Sequence, residues 1–109
     1  MAIRKRGSEK RDFILAYLYK CREEFLAGTR EEEGDYGQGM WNEWQTYCVG
    51  RNVNAQRGKG KRLDPGSSSA FRHMIHVLKS EELIEQYASR PADNPHFWDR
   101  NYYRIADVE

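Results

Sequence analysis

Between Ser67 and Tyr87 the chain reads SSSAFRHMIHVLKSEELIEQY, and its period changes with no glycine or proline to mark the change. Phe71, Met74, Ile75 and Leu78 fall at i, i+3, i+4 and i+7, the spacing of one helical face. Ser67, reached through Pro65 and Gly66, is a good N-cap for a helix over 67–79. Leu83, Ile84 and Tyr87 then suggest a short strand. On a wheel of about 100° per residue, Ser69, Arg72, His73 and His76 occupy the arc opposite the apolar face, with Lys79 at its margin. The helix therefore buries an aromatic-aliphatic face and displays a cationic, hydrogen-bonding one.

The rest of the chain supplies more helix than strand. Ser8 is a plausible N-cap for a helix to about Leu26, ended by Gly28, with Phe13, Ile14, Tyr17, Leu18, Cys21 and Phe25 on one stripe. The acidic, glycine-rich EEEGDYGQG (31–39) reads as a solvated loop. MWNEWQTYCVG fits a short second helix carrying Trp41, Trp44, Tyr47 and Cys48 on one face and ending near Gly50. RNVNAQRGKGKRLDPG (51–66) reads as a long basic loop with room for one helical turn at 52–56; a loop of this length is functional or disordered more often than inert. RPADNPHFWDRN (90–101) has the prolines and turn formers of a long tip, and NYYRIA is a returning strand.

At 109 residues this is the length of one domain, here 8–109 behind a basic arm at 1–7. An aromatic content of 13% argues against wholesale disorder. No apolar run approaches the roughly 20 residues that span a bilayer, and the basic start MAIRKRGSEKR is not followed by a signal-peptide core. No membrane association is expected, and the default is a soluble intracellular protein, cytoplasmic or nucleoid-associated. Cys21 and Cys48 both read as small core residues. The net charge of +1 hides an uneven distribution: residues 50–79 set Arg51, Arg57, Lys59, Lys61, Arg62, Arg72 and Lys79 against Asp64 alone. That block is a candidate electrostatic footprint.

The order helix, helix, helix, hairpin, together with KSEELIEQY at the transition and RNYYRIAD at the return, resembles the winged helix-turn-helix family. The resemblance covers 67–107 well and the first helix loosely. It implies a mostly helical α+β fold, three helices followed by a two-stranded β-hairpin wing, in which the third helix enters the major groove of duplex DNA. Two features depart from the family pattern. Some 15 residues separate the second and third helices instead of a short turn, and Glu82 stands where a glycine often precedes the strand. Such domains commonly act as dimers, so a homodimer is implied, with the first helix or the 40–48 segment as its surface.

On this reading Arg72 offers a bidentate pair to guanine, worth about 1–3 kcal/mol of discrimination. Ser68 and Ser69 offer phosphate contacts beside free backbone N–H groups, and His73 and His76 donate or accept. Arg51, Arg57, Lys59, Lys61 and Arg62, interleaved with Gly58 and Gly60, suit a phosphate chain. Arg90, His96 and Arg100 of the wing extend the surface, although Asp93 and Asp99 oppose them; Phe97 and Trp98 read as packing residues. The bland alternative is that any helix needs a polar outer face and any loop is solvated.

Catalysis is not expected. No Walker, GxSxG, HExxH or Rossmann pattern occurs. No paired-cysteine spacing joins His73, His76 and His96, so neither metal nor cofactor is expected. Two other readings stand beside duplex DNA: a protein-interaction module docking through Trp41, Trp44 and Trp98, favoured by the near-neutral net charge, and an RNA-binding protein, since RGKGKR suits RNA phosphates equally.

Overall fold

The two helices with the clearest period end in the same hydrogen-bond pattern, with different residues at its critical position. α1 (Ser8–Leu26) closes with Gly28 N–H donating to Phe25 O and Thr29 N–H to Glu24 O, with Gly28 at φ 80°. α3 (Ser68–Ser80) closes likewise, Glu82 N–H donating to Lys79 O and Leu83 N–H to Leu78 O, but the left-handed residue is Glu82, at φ 61°. This is how the chain turns from helix to strand with no glycine. Ser67 caps α3 as expected, its hydroxyl accepting from Ala70 N–H at 3.1 Å.

The computed structural model describes residues 8–106 apart from Lys59, Pro95, Phe97 and Trp98. The basic arm at 1–7, Lys59, and the packing expected of Phe97 and Trp98 lie outside the described residues. After α1 the order is β1 (Asp35–Tyr36), α2 (Gly37–Gln56), α3, β2 (Ile84–Arg90) and β3 (Arg100–Ile105). Three helices pack on a three-stranded antiparallel sheet of order β1-β3-β2, an α+β fold.

Two expectations need correction. The hairpin has a third strand: β1 pairs Asp35 with Tyr103 and Tyr36 with Tyr102, inside the segment read as a loop. Gly34 permits this pairing, since a Cβ there would stand 1.7 Å from the Tyr103 carbonyl oxygen. The second helix does not stop near Gly50 but runs to Gln56, so residues 51–56 of the expected loop are helical. Its added turns are held by tertiary bonds. Arg51 donates to Glu9 of α1 at 2.9 Å, and Asn52 clamps Leu63, accepting from its N–H at 2.7 Å and donating to its carbonyl at 3.1 Å.

The core lies where α1, α2 and α3 meet the inner face of the sheet: Ile14, Leu18, Met40, Trp44, Phe71, Ile75, Leu78, Ile84 and Ile105 are buried. Each such side chain contributes roughly 1.5–3 kcal/mol by leaving water. Phe13 of α1 touches Trp44 and Tyr47 of α2 at ring separations of 5.3 and 5.2 Å. Cys21 and Cys48 are buried and unpaired, and burial pushes both thiols up in pKa. Phe25, expected on the buried stripe, is 38% exposed, because the last turn of α1 runs past the core.

Candidate nucleic-acid interface

Whether a cation is spoken for or bare sorts the candidate residues. On α3, Ser69, Arg72, His73, His76 and Lys79 are exposed and Ser68 is half-buried, as the helical wheel requires. Among the described residues no hydrogen-bond or ion-pair partner holds Arg72 or Lys79. Ser67 caps one amide of the first turn, which leaves N-terminal N–H groups near Ser68 and Ser69 available to an anion.

The linker divides into a fixed and a protruding part. Asn52 grips Leu63, the Trp44 indole N–H donates to the Pro65 carbonyl at 2.9 Å, and Asp64 accepts from Gly66 N–H at 2.9 Å. These contacts seat 63–66 against the body and deliver Ser67 to its capping position. Arg57, Lys61 and Arg62 project from the protruding part, exposed and without a partner among the described residues. Gly58 and Gly60, at φ 78° and 95°, supply its left-handed turns. Lys59 of the same turn lies outside the described residues. Lys10 of α1, absent from the sequence candidates, brings its ammonium against Gly66, about 3.4 Å from where a Cβ would stand. No local pattern could have revealed that contact, because it joins the two ends of the helical layer.

Two expected cations are committed elsewhere and a third is loosely held. Arg51 lies on α2 and braces α1, paired with Glu9 and donating to the Tyr47 hydroxyl at 3.1 Å. Arg90 is paired with Glu32 and lies over the Tyr102 ring at 4.6 Å. Arg100 lies over the Tyr36 ring at 5.0 Å with a looser pair to Asp93 at 3.7 Å. The acidic segment is accordingly not a solvated loop. Glu32 also accepts from the Tyr87 hydroxyl at 2.8 Å, Glu33 lies 3.5 Å from Arg104, and Arg30 donates to the carbonyls of Glu32 and Gly34. The Arg90 hydrogen bond, with help from Tyr87, holds the Glu32 carboxyl below its usual pKa. Burial first, then Glu32, pushes the Tyr87 phenol up.

Arg72, His76 and Ser68 meet Arg100 across an open groove of about 990 Å³ between α3, the first turn of α2 and the base of the hairpin. Gln38 and Asn101 also line it, brought there by the first turn of α2 and by β3, and nothing in their own sequence neighbourhood marked them. Among the described residues, Arg57, Lys61, Arg62 and Lys79 are not among its walls, so they lie outside the groove cluster.

Among the described members of the aromatic docking set, Trp44 is not available at the surface. Trp44 is 1% exposed and serves the core, Trp41 is half-buried against Phe71 at 5.5 Å, and Trp98 lies outside the described residues. Among the described residues no group of three or more His, Cys, Asp or Glu side chains is placed to hold a metal ion, and no helix is long and apolar enough to cross a membrane. Neither a family model, a curated protein nor a solved structure matches this chain.

Proposed function

We propose that this chain is a small winged-helix protein that binds duplex DNA and regulates transcription by occlusion or recruitment, without chemistry of its own. The order α1-β1-α2-α3-β2-β3 with sheet order β1-β3-β2 is compatible with that fold. The observation that carries the reading is the division of the cations. On the sheet side Arg90 and Arg104 are neutralised by Glu32, Glu33 and Glu85, while Arg100 is held only loosely, 3.7 Å from Asp93. The cations of α3 and of the turn 57–62 have no such partner among the described residues. Arg72 reads bases, Ser68, Ser69, His73 and His76 fix the helix on the backbone, and Arg57, Lys59, Lys61 and Arg62 neutralise phosphates. Arg100 joins them at the groove, whereas Arg90 contributes only if a phosphate displaces Glu32.

The test is fluorescence anisotropy on random-sequence duplex DNA at about 50 and about 200 mM salt. Micromolar binding that weakens steeply with salt is expected, with a smaller salt slope in Lys59→Ala/Lys61→Ala and lost site preference in Arg72→Ala. Absence of binding at low salt sinks the proposal. Preferential competition by RNA transfers it to RNA.

A further inference from the structure

The groove beside α3 has two chemically different parts. Its floor is apolar and aromatic: Ile75 and Tyr103 are buried and Trp41 is half-buried. Its rim carries two arginines, Arg72 from α3 and Arg100 from β3, with the His76 ring beside Arg72; Asp99 is the one acid among the described lining residues. A volume of about 990 Å³ falls at the upper end of the roughly 300–1,000 Å³ typical of small-molecule sites.

The two arginines are suited to an anion in different ways. Arg72 has no partner to give up among the described residues. Arg100 is positioned by the Tyr36 ring at 5.0 Å, while its carboxylate partner Asp93 is 3.7 Å away with a side chain 95% exposed. An exposed pair of that length is worth little, so an entering anion displaces Asp93 at small cost. Trp41 lines the groove and packs against Phe71 in a tilted pair at 5.5 Å, which puts an aromatic side chain within reach of a ligand ring.

We infer that the groove is a pocket for one small planar anion, an aromatic ring lying against Trp41 whose carboxylate or phosphate is held by Arg72 and Arg100. Because Arg72 serves both ligands, the small anion and DNA exclude one another; that exclusion alone rests on the function proposed above, and the pocket does not.

The experiment is a tryptophan-emission titration of the full chain with four probes: AMP, benzoate, neutral adenosine and inorganic phosphate. A saturable change below about 1 mM is expected for AMP, benzoate or both, with adenosine and phosphate far weaker. Response to AMP alone assigns a nucleotide, and response to benzoate alone a carboxylate. Arg72→Ala should weaken binding about tenfold, the loss of one charge-assisted pair. Arg57→Ala, outside the groove, should leave it unchanged, and Trp41→Phe should remove most of the signal while calorimetry still records binding. No saturation up to about 10 mM, adenosine equal to AMP, or indifference to Arg72→Ala each overturns the inference. DNA anisotropy with and without the probe completes the test. Probe binding without DNA binding removes the DNA reading and keeps the pocket; DNA binding without probe binding does the reverse.

Discussion

Glu82 holds a left-handed backbone at φ 61°, a conformation that costs an L-residue about 1–2 kcal/mol and a glycine almost nothing. Glu82→Gly should therefore raise stability by about 0.5–1 kcal/mol once the greater freedom of glycine in the unfolded chain is deducted, read as a higher urea midpoint at unchanged slope. Gly34 is the opposite case. A Cβ there meets the Tyr103 carbonyl at 1.7 Å, so Gly34→Ala should part β1 from β3 and cost about 4 kcal/mol or more. Gly50, inside α2 with nothing within 4 Å of its missing Cβ, is the control: Gly50→Ala should stabilise by about 0.5–1 kcal/mol. The departure at Glu82 was visible in the sequence as a missing glycine, but its backbone angle was not. Gly34 gave no signal at all, because what demands it is a carbonyl nearly seventy positions away.

At the scale of elements, legibility followed the source of each element's stability. α1 and α3 carry an apolar stripe of period 3.6, and Ser67 caps α3, so most of their boundaries and buried faces could be read directly. β1 is two residues long and exists through its pairing with β3, which no local pattern announces. The last turns of α2 have little apolar content and pass straight through Gly50; they persist through Asn52, Arg51 and the bonds these make to distant segments. Asn52→Ala should consequently cost about 1–3 kcal/mol and open the linker, seen as faster limited proteolysis within 57–62 before global unfolding. Proteolysis at an unchanged rate would mean that Pro65, held by Trp44, suffices. The site divided the same way. The outward face of α3 was readable as the complement of its buried stripe, whereas the neutralised state of Arg51 and Arg90 depends on acids that only the folded chain brings near.

For the whole molecule three phenols, Tyr103 buried and Tyr17 and Tyr87 half-buried, bear on stability in alkali. Burial, reinforced by Asp35 at Tyr17 and by Glu32 at Tyr87, raises both above the ordinary phenol pKa, and burial alone raises Tyr103. A group whose folded pKa lies above its unfolded value stabilises fully below the unfolded value, about 10, and loses that contribution as pH climbs toward the folded one. The melting temperature should hold to about pH 10 and fall beyond it. The fall should flatten without vanishing in Tyr17→Phe/Tyr87→Phe, since Tyr103 remains. Glu32 acts with the opposite sign: its depressed pKa gives stability present above the unfolded value of 4.5 and lost as pH falls through the folded one.

The division between neutralised and bare cations reaches beyond any single contact. With a formal charge of only +1, the protein has almost no electric monopole, yet its basic turn and α3 lie apart from sheet arginines cancelled at close range by carboxylates. What remains at a distance is a dipole. On the proposed function, the field of a DNA polyanion would exert a torque as well as an attraction, turning the molecule so that its bare basic face leads.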